Sequence, residues 1–247
     1  MNDKTKIFFA SDFHLGIPDH TASREREDKI VQWLDTISKN ASDIYLMGDL
    51  FDFWFEYKKV VPKGHIRLLG KLAELSDKGV KLHIFKGNHD LWMKDYFQKE
   101  LKAEIHSEAL IKKLGNRVFY IAHGDGLGPG DYGFKFMKAI FKCKFNQWLF
   151  RWLHPDIGSW LANFFSRKSR IAHNKKTDIF KEEKEWLVMH ARQILQTRHI
   201  DYFVFGHRHV PAEYKLNDQS TFFNLGDWIT HFTYLEFDGE QASLKKL

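Results

Sequence analysis

The chain has 247 residues, of which 43% are hydrophobic and 16% aromatic, with a formal net charge of +6. This composition excludes a disordered protein, and the length suits one large α/β domain with an elaboration better than two equal domains. Its single cysteine, Cys143, excludes an intramolecular disulfide and suits a reducing cytoplasm. The first apolar run, of roughly five residues, is too short for a signal peptide or membrane span, so we expect a soluble chain.

Apolar runs in chain order predict the strands of the fold. Five of them predict buried strands, at residues 7–10, 44–47, 82–85, 118–122 and 203–205. Residues 24–38 and 66–77 show helical periodicity between successive strands, which is typical of βαβ units with parallel neighbours. Four further runs predict short strands joined by polar turns, at residues 212–215, 221–224, 232–237 and 242–245. We expect these last four to form a second, largely antiparallel sheet.

Each of the five buried strands is followed, directly or after one residue, by a block of small and polar residues. The blocks are Asp12-Phe13-His14, Gly48-Asp49, Gly87-Asn88-His89-Asp90, His123-Gly124-Asp125 and Gly206-His207-Arg208-His209. In open α/β sheets, ligands gather beyond the carboxyl ends of the strands. The sequence therefore predicts that these distant blocks meet at one site.

The side chains in these blocks are suited to binding two divalent cations. Carboxylate, amide and imidazole groups without thiolates favour Mn, Fe, Zn or Mg-type cations. Asp49 is the natural bridge between the two. Asp12, His14 and one histidine of the last block can complete one ligand set, while Asn88, His123 and the other histidine can complete the second. Because such a pair activates water and stabilises charge on a phosphoryl group, the sequence predicts hydrolysis of a phosphate ester or anhydride.

The excess positive charge lies in one segment, residues 131–185. It contains 12 Lys or Arg against 6 Asp or Glu, and it is also rich in aromatic residues. Such a mixture fits an anionic lipid interface, a nucleic acid, or a helical subdomain whose aromatic residues pack inward.

Together, the five blocks resemble the calcineurin-like metallophosphoesterases, whose pattern is Asp-x-His, Gly-Asp, Gly-Asn-His, a later histidine and Gly-His-x-His. The resemblance implies an α/β fold of four layers, αββα, and two cations, usually Mn²⁺, with Zn²⁺, Fe²⁺ or Mg²⁺ as other options. It implies one cation held by Asp12, His14, Asp49 and His209, and a second held by Asp49, Asn88, His123 and His207. It also implies that His89 acts near the leaving group as an acid or phosphate stabiliser, oriented by Asp90.

More of the chain is similar to the bacterial UDP-2,3-diacylglucosamine diphosphatases of lipid A synthesis. The similar stretches are residues 11–15, 48–54, 123–126 leading to Asp131, 206–212 and 224–228. Enzymes of that family direct water to the α-phosphorus of UDP-2,3-diacylglucosamine and release UMP and 2,3-diacylglucosamine 1-phosphate. The resemblance implies one metallophosphoesterase domain over residues 1–247, with residues 131–185 inserted as a helical cap that holds the acyl chains.

An acylated UDP-sugar is therefore the expected substrate, and its binding residues are divided between the blocks and the cap. The candidate contacts are Asn88, His89, Asp131, Arg167, Lys168, Arg170, Asn174 and Lys175. We expect a cytoplasmic enzyme, with contact at the cytoplasmic face of the inner membrane as an option and nucleic acid disfavoured as a partner. The sequence sets no oligomeric state.

Two other functions are consistent with parts of the sequence. Many members of the diphosphatase family have Gly-Asn-Arg-Asp where this chain has His89 in third place, so one alternative is an enzyme for another nucleotide-linked phosphodiester or for nucleic acid. The second is a noncatalytic scaffold, which predicts degraded ligands, whereas every ligand position is filled. Asp52 has a functional and a structural interpretation of equal weight. Asp227 and His231 could approach the site from the final sheet, but surface or structural roles are favoured for them. His83 and His106 are assigned no chemistry.

Overall fold

The computed structural model describes residues 5–129, 132–161 and 185–247. Its strands are β1 (Lys6–Ala10), β2 (Ala41–Leu46), β3 (Lys81–Phe85), β4 (Glu104–His106), β5 (Leu110–Leu114), β6 (Arg117–Ala122), β7 (Tyr202–Phe205), β8 (Pro211–Lys215), β9 (Thr221–Leu225), β10 (Thr233–Phe237) and β11 (Ala242–Lys246). Its helices are α1 (His20–Ile37), α2 (Ile66–Asp77), α3 (Tyr96–Leu101), α4 (Tyr132–Lys142), α5 (Lys144–Arg151) and α6 (Trp186–Leu195). Residues 155–161 are also helical.

The strands form two mixed sheets. The first has the order β11-β10-β1-β2-β3-β4, in which β1 to β4 run parallel and β10 and β11 add antiparallel neighbours. The second has the order β5-β6-β7-β9-β8, in which β6, β7 and β9 run parallel between antiparallel edge strands. All five predicted buried strands are present, and each belongs to the parallel part of its sheet.

The prediction of a separate antiparallel sheet at the end of the chain is wrong. Strands β8 and β9 complete the second sheet, where β9 lies parallel to β7. Strands β10 and β11 instead join the first sheet, where Ile7 of β1 is opposite Phe237 of β10. A period of two residues identifies a strand and its two faces, but it does not identify the neighbour with which that strand pairs.

Alternate residues of the strands pack into different cores. On β1, Phe8 belongs to the core that includes α1 and α2, whereas Phe9 belongs to the core between the sheets. On β6, Phe119 lies in the intersheet core, 5.7 Å from Phe9 between ring centroids, whereas Tyr120 packs with residues of α6. The layers are therefore helices, sheet, sheet and helix, which confirms the αββα fold.

The described part of the basic segment is helical and packs beside the loops that follow β3 and β6. The indole N–H of Trp92 donates a hydrogen bond of 2.9 Å to the backbone oxygen of Phe141, and the rings of Trp92 and Phe150 are 4.7 Å apart. On the other side, the ammonium of Lys138 lies 2.5 Å from the carboxylate of Asp125. Among the described residues, no helix is long and apolar enough to cross a membrane.

Candidate metal centre

Five of the seven predicted metal ligands have a left-handed backbone. Their φ angles are 58° at Asp12, 45° at His14, 53° at Asp49, 67° at His207 and 56° at His209. Residues with a Cβ atom seldom adopt this conformation, although Asp and His do so more often than most. Such strain costs on the order of 1–3 kcal/mol per residue and persists only where the surrounding structure enforces it. These sharp turns place several donors directly after the ends of neighbouring strands.

Asp12, His14 and His209 form the first group of donors. The Nε2 atoms of His14 and His209 are 3.2 Å apart, and Oδ1 of Asp12 lies 3.7 Å and 3.4 Å from them, respectively. Backbone hydrogen bonds connect the loop after β1 to the loop after β2, since the amide of His14 donates to the carbonyl of Asp49 at 2.9 Å. One cation can therefore be reached by all three side chains.

The second group contains Asn88, His123 and His207 beside Asp49. Nε2 of His123 lies 3.3 Å from Oδ1 of Asn88 and 3.5 Å from Oδ2 of Asp49. Ligand atoms of Asp49, His123 and His207 all lie within 4.8 Å of one another. The other ring nitrogen of His123, Nδ1, is 2.7 Å from the carbonyl oxygen of Met47, a contact that fixes the plane of the imidazole.

The carboxylate of Asp49 belongs to both groups. Its Oδ2 lies 3.7 Å from Nε2 of His14 and 3.5 Å from Nε2 of His123, while its Oδ1 accepts a 2.9 Å hydrogen bond from the amide of His89. The structure thus gives Asp49 the position expected of a bridging ligand.

Gly48 and Gly87 make this close approach possible. A Cβ atom on Gly48, whose φ is +91°, would lie 2.7 Å from both the amide nitrogen of Gly87 and Nδ1 of His123. A Cβ atom on Gly87 would overlap the carboxylate of Asp49. A side chain at position 48 would therefore push His123 away, and one at position 87 would displace Asp49.

The carboxylates hold positive charge on two of the buried histidines. Burial opposes protonation of His14, but the carboxylates of Asp12 and Asp52, 3.7 Å and 3.8 Å from its ring nitrogens, outweigh it and raise its pKa to about 9. Burial acts in the same way on His123, where the charge of Asp49 raises the pKa to about 10. In the metal-free protein these protons balance the buried negative charge, which a cation can balance in their place.

The two carboxylates stay ionised although they are buried. Burial favours the neutral form of Asp49, but the imidazoles of His123 and His89 hold its pKa well below its usual range. Burial acts likewise on Asp12, where the nearby imidazole of His14 lowers the pKa. Within the described residues, Oδ1 of Asp12 is buried and accepts no hydrogen bond. A buried anionic oxygen with this surplus capacity, surrounded by nitrogen and oxygen donors, fits a divalent cation.

His89 lies beside the first group of donors, with its ring 4.8 Å from and perpendicular to that of His14. The expectation that Asp90 orients His89 needs correction. Asp90 accepts hydrogen bonds from the amides of Gly87 (2.7 Å) and Leu50 (2.8 Å), so it ties the loop after β3 to the loop after β2. Asp52 is the residue beside the His89 ring, since Nδ1 lies 3.0 Å from its backbone oxygen and 3.4 Å from its carboxylate.

Asp227 lies at the site, beside His209, although the sequence favoured a surface or structural role for it. Its Oδ2 lies 3.2 Å from Nδ1 of His209, while its Oδ1 accepts backbone hydrogen bonds from Thr230 (2.9 Å) and His231 (3.0 Å). Together with burial, which acts in the opposite direction, these contacts set the pKa of Asp227 at about 2. Its position shortly after β9 was an available signal, because the other donors also follow strands.

Arg208, between the two histidines of the last block, is buried and engages α6. Its Nε donates a 3.1 Å hydrogen bond to Glu185, and its guanidinium lies 4.5 Å from the ring centre of Trp186. These contacts anchor the loop that carries His207 and His209. The candidate substrate contacts Asp131, Arg167, Lys168, Arg170, Asn174 and Lys175 lie outside the described residues.

Comparison with known proteins agrees with this geometry. Residues 5–211 match the calcineurin-like phosphoesterase family. A UDP-2,3-diacylglucosamine hydrolase of Porphyromonas gingivalis is 38% identical over 258 residues, covering 99% of this chain and 98% of the relative. Hydrolases of the same name are 27% identical in Histophilus somni, over 94% of this chain and 95% of the relative, and 26% identical in Aliivibrio fischeri, over 97% and 98%. The chain belongs to the calcineurin-like phosphoesterase family.

Proposed function

We propose that this hydrolase cleaves the pyrophosphate of UDP-2,3-diacylglucosamine and releases UMP and 2,3-diacylglucosamine 1-phosphate. The observation that carries the proposal is the similarity to the Porphyromonas gingivalis hydrolase, which is 38% identical and extends over 98% of its length. In this reaction, a water oxygen bonds to the α-phosphorus while the bond from that phosphorus to the bridging oxygen breaks. The bridging oxygen then leaves as part of the acylated sugar phosphate.

The proposed cofactors are two divalent cations, with Mn²⁺ as the first candidate. We assign Asp12, His14, Asp49 and His209 to one cation, and Asp49, Asn88, His123 and His207 to the other. When bound, such a pair lowers the pKa of a water molecule and neutralises charge on the phosphoryl oxygens. The buried donors and the surplus lone pairs of Asp12 support the assignment.

His89 is proposed to bind the phosphate near the leaving group. Its ring is fixed by the contact between Nδ1 and the backbone oxygen of Asp52, and its own amide donates to Asp49. A fixed imidazole in this position can donate a hydrogen bond or a proton to an oxygen that gains charge as the bond breaks.

The helices α4 and α5 are proposed to hold the acyl chains. The side chains of Phe145, Trp148 and Trp152 on and next to α5 are exposed by 63%, 51% and 75%, an unusual density of exposed aromatic surface. These helices pack against Trp92, three residues after His89 in the chain, which supports a position of the apolar surface near the site. Each methylene buried there contributes roughly 0.8 kcal/mol, which favours a lipid substrate over a plain nucleotide. Contact with the inner membrane surface would be consistent with this arrangement.

Incubation of the Mn²⁺-loaded protein with UDP-2,3-diacylglucosamine in oxygen-18 water tests the reaction directly. We expect UMP and the acylated sugar phosphate in equal amounts, with the label in UMP because water attacks the α-phosphorus. Mass spectrometry of both products measures this. Label in the sugar phosphate, or no turnover of this substrate, would contradict the proposal.

Asp49→Ala and His89→Ala should separate metal binding from chemistry. Loss of Asp49 removes a ligand from both cations, so we expect the bound metal to fall sharply after dialysis. His89→Ala should retain its metal and lose on the order of 10²-fold or more in turnover, as expected for the loss of a phosphate donor or acid. Elemental analysis and initial rates measure the two effects. Equal metal loss in both variants would show that His89 is itself a ligand.

Asp227→Asn should weaken the site through His209. The neutral amide cannot stabilise the imidazole as the carboxylate does, and such changes behind a metal ligand typically cost about 10–100-fold in affinity or activity. The measurement is a Mn²⁺ titration of activity. Asp238→Asn is the matched control, because Asp238 also accepts backbone hydrogen bonds in a turn but belongs to an exposed loop. Similar losses in the two variants would assign the effect to turn stability alone.

Trp148→Gln should reduce turnover of the acylated substrate more than turnover of bis(p-nitrophenyl) phosphate. The substitution removes apolar surface from α5, which only the acylated substrate is expected to use. The readout is the ratio of kcat/KM for the two substrates. Ile66→Gln is the control, since Ile66 is also an exposed apolar residue but begins α2. An unchanged ratio in Trp148→Gln would place the acyl chains elsewhere.

A further inference from the structure

A second group of metal-ligating side chains lies at the edge of the first sheet, on strands β3 and β4. Nδ1 of His83 is 3.2 Å from Oε2 of Glu104 and 3.4 Å from Nε2 of His106, and this nitrogen of His106 is 3.9 Å from the same oxygen of Glu104. None of the three residues belongs to the centre described above.

The register of the two strands produces this group. Strands β3 and β4 are parallel, with His83 opposite Glu104 and Phe85 opposite His106. Glu104 and His106 are two residues apart and so point to the same face of the strand, which is also the face of His83. The rings are held by stacking, since His83 lies 4.1 Å from Tyr45 and His106 lies 4.6 Å from Phe85 between centroids.

Asp43 selects which nitrogen of His83 faces the group. Nε2 of His83 lies 3.1 Å from Oδ1 of Asp43, so the carboxylate can accept a hydrogen bond from this nitrogen. In the tautomer that makes this hydrogen bond, Nδ1 has a lone pair directed towards Glu104 and His106. A carboxylate behind the distal nitrogen of a histidine is the arrangement that typically supports a metal-bound imidazole.

The distances between the donor atoms fit one small cation. Ligands bound tetrahedrally to Zn²⁺ at roughly 2.0–2.1 Å are about 3.3–3.4 Å apart. Two of the three separations, 3.2 Å and 3.4 Å, are close to this value. Only the third, 3.9 Å, needs adjustment, and the side chain of Glu104 is 61% exposed and can move. His83 is fully buried whereas Glu104 is exposed, so the group has one fixed ligand and an opening to solvent.

We propose that His83, Glu104 and His106 bind one Zn²⁺ ion, separate from the two-cation centre, with a fourth position open to water. Two imidazoles and one carboxylate without thiolate suit zinc better than Ca²⁺ or Mg²⁺, which prefer oxygen ligands. The charges of Glu104 and of Asp43 behind His83 balance the charge of the ion. The ion would join edge strand β4 to β3, and β3 leads directly to the loop of Asn88.

Zinc stoichiometry in the full-length chain tests the site. After equilibrium dialysis against Zn²⁺, the wild-type protein should hold one equivalent more than either Glu104→Ala or His106→Gln, as measured by elemental analysis. Because the readout is a difference of one equivalent, it does not depend on how many ions the other centre holds or on any activity. Asp49→Ala should retain this equivalent, which separates the proposal from the proposed function.

Two further variants sharpen the result. Glu108→Ala is the matched control, because Glu108 is also an exposed glutamate but pairs with Lys142, and it should retain all zinc. Asp43→Asn should retain the site with about 10–100-fold weaker zinc binding. Glu104 is exposed, so its substitution is expected to leave the fold intact, which a thermal melt checks. If Glu104→Ala or His106→Gln folds and retains the full zinc content, the group is a hydrogen-bonded cluster and the proposal is wrong.

Discussion

The buried carboxylate of Asp49 is the constraint on which the rest of the site depends. A carboxylate removed from water is costly unless opposite charge and hydrogen bonds surround it. His14 approaches it from one side and His123 from the other, at 3.7 Å and 3.5 Å, and both carry raised pKa values because of the carboxylates around them. The same charge balance makes the site receptive to cations, since a metal can replace the protons. Retaining that balance requires strained, left-handed backbone at Asp49 and its neighbours.

The intersheet core determines whether the two halves of the site meet. Asp12, Asp49 and Asn88 follow strands of the first sheet, whereas His123, His207 and His209 follow strands of the second. No covalent link within the site joins these halves, so their separation depends on how the sheets pack. Aromatic contacts such as Phe9 with Phe119 therefore fix the distances between donors that are far apart in the chain. In this fold, the packing of the core therefore also determines the placement of the donors.

The sequence predicts the parts of this structure that are locally encoded. Apolar runs followed by donor blocks identify the parallel strands. Each block follows its own strand, so the pattern also predicts that the expected ligands meet at one edge. Contacts between residues that are far apart in the chain are not predicted in this way. The pairing of β10 with β1 and the contact of Asp52 with His89 depend on sheet order and loop path, which no local pattern records. A surface or structural role was favoured for Asp227 for the same reason, because its place at the site depends on its contact with His209, eighteen residues earlier.

The proposed substrate has two chemically different halves, the pyrophosphate and the acyl chains, and different features of this chain suit each half. The pyrophosphate requires fixed charge at ångström precision, which strained loops between rigid sheets provide. The acyl chains require apolar area without a fixed shape, which the proposal assigns to the exposed aromatic residues of α5. The proposed role of His89, where many members of the diphosphatase family have arginine, concerns only the first half. An imidazole held by Asp52 next to His14 is coupled to the donor network, whereas an arginine would bring a permanent charge to it. In the proposed function, this difference bears on how the phosphate is held and not on recognition of the lipid.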